Sequence, residues 1–141
     1  MERLRARMLT RLRGDRGSSS MEFLFITPLA FLLLMLVVQF GLYYFASTVN
    51  EAAAQAGARK ARATADANPG SWQGRARDTA QNRINTLGPS LVGDPAIDTV
   101  QDGQQVGVTV TARVRSVVPW MHLTVTSKSI GPIERFVPDA G

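Results

Sequence analysis

The sequence predicts an α+β protein: a long N-terminal helix, its first part in a membrane, that extends into a small exterior domain with a second helix and a short antiparallel sheet. Three observations carry this. Residues 23–45 contain no charged side chain, residues 46–67 hold ten alanines with one glycine and no proline, and beyond Pro95 the apolar spacing changes from helical to alternating. The 141 residues suffice for one small domain. Once the apolar run and its helical continuation are set aside, only about half the chain is left for a soluble core, a size that usually leans on staples or neighbours. There is no cysteine to form a disulfide, and His122 is the lone histidine, so no metal-ligand cluster is expected either.

The basic balance is concentrated at one end. Of the net +5, Arg3, Arg5, Arg7, Arg11, Arg13 and Arg16 against Glu2 and Asp15 place +4 in the first 17 residues, leaving +1 for the remainder. Arginines abutting a charge-free apolar run fit the positive-inside rule better than a nucleic-acid arm, so no nucleic-acid partner is expected. The run itself is 23 residues long. At about 1.5 Å per residue it is enough for a hydrocarbon core of about 30 Å. Only Thr27, Pro28, Gln39 and Gly41 interrupt it. Pro28 should kink this helix, and the carbonyl it leaves unpaired near Leu24 needs another donor, such as a nearby hydroxyl. Tyr43 and Tyr44 mark the outer rim.

The alanine-rich segment continues as helix, because alanine is the strongest helix former. Val49, Ala52, Ala53, Ala56, Ala63 and Ala67 recur as a narrow small-residue face that lets another helix approach closely, either in this protein's own domain or in another subunit. Asn68, Pro69, Gly70 and Ser71 should stop it. A second helix follows with Ser71 as N-cap, Trp72, Ala76, Ala80, Ile84 and Leu87 on one stripe, and Gly88-Pro89 as the stop. Residues 96–101 and 105–117 read as two strands joined at Asp102 and Gly103. Val106, Val108, Val110, Ala112 and Val114 form the buried face, with Gly107, Thr109, Thr111, Arg113 and Arg115 on the wet one. A third strand over about residues 123–129, resuming toward Phe136, completes the sheet, and residues 138–141 should fray. The expected domains are thus a basic leader (1–17), a membrane helix (18–45), its exterior extension (46–67) and a small α+β domain (68–141).

Catalytic chemistry is not written here. There is no phosphate-cradling loop, zinc-protease helix or nucleophile elbow. His122 has Ser116, Ser127 and Ser129 nearby in sequence, but nothing in the spacing singles out a triad. Asp94, Asp98 and Asp102 lack the glycine and terminal glutamate of a calcium loop and read as turn formers. No catalytic residue, metal, cofactor or small-molecule substrate is expected.

The informative segment is Arg16-Gly17-Ser18-Ser19-Ser20-Met21-Glu22-Phe23, small residues at a junction with one acid at the apolar boundary. An ionised carboxylate there is costly unless it is interfacial, protonated or paired. The segment resembles the type IV prepilin signal. Cleavage after Gly17 makes Ser18 the first residue and Glu22 the fifth, whereas Gly14 fails the same test because its fifth following residue is Ser19. More broadly the chain resembles the TadE/TadG-like family of tight-adherence (Flp) pilus assembly proteins. That pattern is Gly, four residues, Glu-Phe, a proline six positions after the Glu, an apolar run closing in Phe-Gly, and an Ala/Gly/Arg helix. Gly17, Glu22, Phe23, Pro28, Phe40, Gly41 and Ala56-Gly57-Ala58-Arg59 occupy those places. Many members carry acids where this chain has Gln39 and Ala56, so any role of those acids is not carried over.

The resemblance implies a pilin-like fold and a minor pilin or pseudopilin of a bacterial adhesion pilus. It would be processed at Gly17 and Ser18 by a prepilin peptidase, with Glu22, Phe23 and Pro28 serving assembly and register, and Phe40, Gly41, Ala53, Ala56 and Gly57 serving helix packing. The implied partners are the membrane, other pilin or pseudopilin subunits and the assembly platform. The implied location is the bacterial cytoplasmic membrane, N-terminus inside and C-terminal domain outside. The alternative is a secreted or membrane-tethered binding domain with an ordinary signal, cut near Ala52-Ala53-Ala54.

Overall fold

The computed structural model describes residues 15–135, with side chains from Met21 onward. The leader as far as Gly14, the strand resumption toward Phe136 and the tail at 138–141 lie outside the described residues. Helix α1 (Asp15–Thr64) is followed by α2 (Trp72–Leu87) and strands β1 (Val92–Asp102), β2 (Gln105–Val114) and β3 (Leu123–Pro132). The α+β class expected from sequence is the one observed. The chain divides into two compact units, Met1–Val37 and Val38–Gly141.

In the first unit every large apolar side chain from Met21 to Val37 is exposed, Phe23 at 71% among them. A helix in water hides such a surface, and lipid is the solvent that suits it. Among the described residues α1 is the one helix long and apolar enough to cross a membrane. Pro28 lies within it. Thr27 Oγ1 donates to Phe23 O at 2.8 Å, one residue short of the Leu24 carbonyl that the proline leaves without its usual donor. Helix starts at Asp15, so the Gly17-Ser18 junction is helical.

In the second unit α1 and α2 cover one face of a three-stranded antiparallel sheet of order β1-β2-β3. The seam on α1 and the turn that follows it is Ala46, Val49, Asn50, Ala53, Ala54, Gly57, Ala58, Ala61 and Ala65, all buried. Its spacing of three and four keeps one narrow stripe turned to the core. The expected face was off in phase: Val49 and Ala53 are on the seam, Ala52 and Ala56 are half-buried at its edge, and Ala63 and Ala67 are exposed. The helix also ends at Thr64, not at 67, and the chain turns through residues 65–68 with Asn68 N donating to Thr64 O at 2.9 Å. Asn68 precedes Pro69, which disfavours helical backbone there and moves the break upstream.

Helix α2 runs back along α1, with Ala76 and Ala80 against Gly57 and, at its far end, Gly88 against Val49 and Phe45. Trp72, Ala76, Ala80 and Ile84 are buried as the stripe predicts, while Leu87 is exposed. Ser71 makes no side-chain cap. Instead Asn68 O accepts both Ser71 N and Trp72 N at 3.2 Å, so the turn backbone serves the helix start.

Strand β2 is central and shows the expected alternation, with Val106, Val108, Val110, Ala112 and Val114 buried. Gly107 departs from it: assigned to the wet face, it is buried, because a Cβ there would collide with Ser129 O and the Ile130 backbone of β3. The hairpin loop is Gly103-Gln104, since Asp102 still pairs with Gln105, and Gly103 has φ +57. Positive φ at the first loop position is where the II′ hairpin turn places glycine. Strand β1 begins at Val92, earlier than expected, because it passes through an irregularity between Gly93 and Ala96. Asp94 adopts φ 45 there and Pro95 sits in an edge strand, where its missing N–H costs no ladder bond. Asp94 and Asp102 thus flank bends as turn formers do, whereas Asp98 is a strand residue paired with Thr109.

The segment after β3 is strapped to the end of α1. Glu134 N donates to Arg62 O at 3.1 Å, the Arg62 guanidinium lies 3.5 Å from Glu134, and Arg135 lies 3.7 Å from Asp66. The Arg62 stem covers Gly131, where a Cβ would meet it at 2.8 Å.

Candidate functional site: the apolar helix and the loop on Gln39

Five of the residues expected to serve assembly and packing lie on open surface. Glu22, Phe23, Pro28, Phe40 and Gly41 are all exposed, Phe40 at 72%, and a Cβ on Gly41 would meet nothing within 4 Å. Ala53 and Gly57 lie elsewhere. Both are in the core of the second unit, and a Cβ on Gly57 would stand 3.0 Å from Ala76 O and 3.1 Å from Ala80 Cβ and Val108 Cγ2. The missing side chain at Gly57 serves a three-way junction of α1, α2 and β2. Ala56, beside them, is half-buried. Gly17 and Ser18 are in helical backbone at the start of α1.

Sequence reading did not find the polar contacts that dock α1 on the sheet. Gln39, inside the charge-free run, is only 2% exposed. Its Oε1 accepts the backbone N–H of Val117 at 2.8 Å and lies 3.0 Å from the Ser116 hydroxyl, while its Nε2 donates to Arg115 O at 3.4 Å. The Ser116 hydroxyl is also 2.8 Å from Val118 O, and with a single proton it serves one acceptor at a time. These contacts end β2 at Val114 rather than at 117, because the backbone that would extend the ladder turns to the helix instead. Asn50, fully buried, donates from Nδ2 to Val110 O at 2.8 Å and to Val125 O at 3.4 Å, spanning β2 and β3, and its Oδ1 has no partner. The only legible signal for either residue was a polar amide among apolar neighbours.

The loop between β2 and β3 carries His122, which with Arg113, Ser116 and Met121 lines an open cleft of about 620 Å³. Ser116 is engaged by Gln39 and Val118, not by His122. Among the described residues no three His, Cys, Asp or Glu side chains gather as metal ligands.

One long apolar N-terminal helix carried into a small domain of one helix and an antiparallel sheet defines an α+β protein whose helix fits a single membrane pass. Residues 17–59 match the family described as TadE-like protein, which is consistent with a TadE/TadG-like protein of the Tad pilus system. The match begins at Gly17 and takes in Glu22, Phe23, Pro28, Phe40, Gly41 and Gly57. The match covers 43 of the 141 residues, and the family it names suggests a Tad pilus-associated component. No curated protein and no solved structure matches the chain.

Proposed function

We propose that the protein is a minor pilin or pseudopilin of a Tad/Flp-type adhesion pilus, held in the bacterial cytoplasmic membrane with its N-terminus inside and its α+β domain outside. A prepilin peptidase removes residues 1–17, and the apolar helix then packs among other pilin subunits at the assembly platform or in the filament. The observation that carries this reading is the division of α1. From Met21 to Phe45 every large apolar side chain except the half-buried Leu42 is exposed, whereas from Ala46 to Ala61 the buried small residues pack into the domain. The first part is free to exchange lipid for neighbouring helices, which associate by close packing once lipid is the solvent. Six arginines before the run support the orientation.

An ordinary signal peptide fits less well. A cut after Ala52-Ala53-Ala54 would discard Ala46, Val49, Asn50, Ala53 and Ala54, five of the nine seam residues that close the core. The N-terminal residue of membrane-derived protein is the test. Mass spectrometry is expected to find Ser18, and a terminus near Gln55 would replace this reading with a secreted or tethered binding domain.

A further inference from the structure

We infer that the loop between β2 and β3, residues 115–122, is a second membrane contact that seats the exterior domain on the lipid surface beside its own helix. The inference rests on the membrane-spanning reading of α1. Three observations meet at this loop. Gln39 holds Arg115, Ser116 and Val117 against the helix. That residue lies six positions before the end of the charge-free run, about 9 Å by helical rise, so the loop is fixed to a level the run assigns to lipid or its boundary.

The second observation is what the loop presents. Trp120 is 71% exposed and Val117 41%, with Pro119 beside them, although Val118 in the same loop is buried. A tryptophan turned outward at that level is the amphipathic ring that the headgroup region favours. The third is charge. Residues 105–133 contain no acidic side chain, and Arg113 and Arg115 stand at the loop. Arg113 is in an exposed pair with Asp94 at 3.9 Å and Arg115 donates to Ser90 O at 3.3 Å, whereas Lys128 lies further along β3 opposite Thr109. Apolar side chains rimmed by cations bind an anionic bilayer surface through both terms. A loop that touches lipid adds a second point of attachment to the helix and so limits how the domain tilts before subunits assemble.

The chain has no cysteine, so single cysteines can carry spin labels in the full-length protein. The protein is reconstituted in vesicles of phosphatidylethanolamine and phosphatidylglycerol with a label at Trp120→Cys, Val117→Cys, Leu32→Cys or Asp98→Cys. Leu32 reports the span, and Asp98, exposed on β1, reports water. The ratio of accessibility to oxygen over a water-soluble nickel complex is expected to be several-fold higher at 117 and 120 than at 98. A lipid-like label at 32 with water-like labels at 117 and 120 overturns this inference and leaves the span intact. A water-like label at 32 overturns the span, and the inference with it. Shielding of 117 and 120 from both reagents that grows with the protein-to-lipid ratio identifies a second copy as the occupant and also overturns the bilayer contact.

Discussion

Gln39 Oε1 accepts the Val117 backbone N–H at 2.8 Å, joining two residues 78 positions apart. It lets an amide rest inside an otherwise apolar run, because the side chain and the loop satisfy one another. Gln39→Leu keeps the bulk and the helix but leaves the Val117 N–H without its acceptor. The bond is part-buried and water can reach a donor on an exposed loop residue, so its loss costs about 0.5–1.5 kcal/mol. The expected result in detergent is a stability loss of that order together with faster amide exchange confined to the loop around Val117. Unchanged protection at Val117 would mean that the contact contributes nothing to holding the loop.

Gly57→Ala tests the three-way junction. Alanine is the better helix former by about 1 kcal/mol. The new Cβ, however, would stand 3.0 Å from Ala76 O, a backbone atom, and 3.1 Å from Ala80 and Val108. Overpacking costs typically about 1–3 kcal/mol. Net destabilisation is expected for Ala and loss of the folded domain for Leu, both read by thermal unfolding. Gly41→Ala, where a Cβ meets nothing, is the control and should not destabilise the domain. A Gly57→Ala protein as stable as the parent would show that α2 can retreat without cost.

The difference between what the sequence disclosed and what it hid has a physical origin. Strand β2 was legible because it is central: paired on both sides and covered on one face, it has no freedom to depart from period two except at Gly107, where neighbouring backbone closes in. Trp72, Ala76, Ala80 and Ile84 were legible because large and small apolar residues alternate with charges around α2. The seam of α1 was misphased for the opposite reason, since alanine at ten of the positions in 46–67 puts apolar residues on every side and leaves no phase to read. Gln39 and Asn50 stayed hidden because their partners are backbone carbonyls and an amide far away in sequence, which carry no residue-type signal.

Asn50→Asp probes the polar tie beneath the sheet. Nδ2 donates to Val110 O and Val125 O. Aspartate turns that donor into an acceptor facing carbonyl oxygens, so burial and like dipoles would raise its carboxyl above the unfolded value of about 3.9. A raised acid binds more protons folded than unfolded, so the variant's stability should fall as pH rises from its unfolded value through the folded one. Denaturant melts across that interval check the sign. An Asp variant equally stable at both ends of the range would imply that the side chain swings out to solvent.

Glu22 is expected to act in assembly, because an exposed carboxylate at the edge of an apolar helix gains a new cation nearby when the leader is removed. Cleavage after Gly17 creates an ammonium at Ser18, four residues away and about one helical turn along the chain. In a staggered bundle the amino terminus of an adjacent subunit can lie nearer still. A charge pair between apolar helices would fix their axial register, since any other register leaves a bare carboxylate in lipid at a cost of about 2.5–3.5 kcal/mol or more. Glu22→Ala removes the pair without touching the junction residues or the apolar run. It is therefore expected to insert and be cleaved, to co-purify poorly with the other pilus components and to support little surface filament. Cleavage, pull-down and piliation read in one complemented strain separate the possibilities. A cleaved Ala variant with full piliation would reduce Glu22 to an interfacial side chain, and an uncleaved one would move its role from assembly to processing.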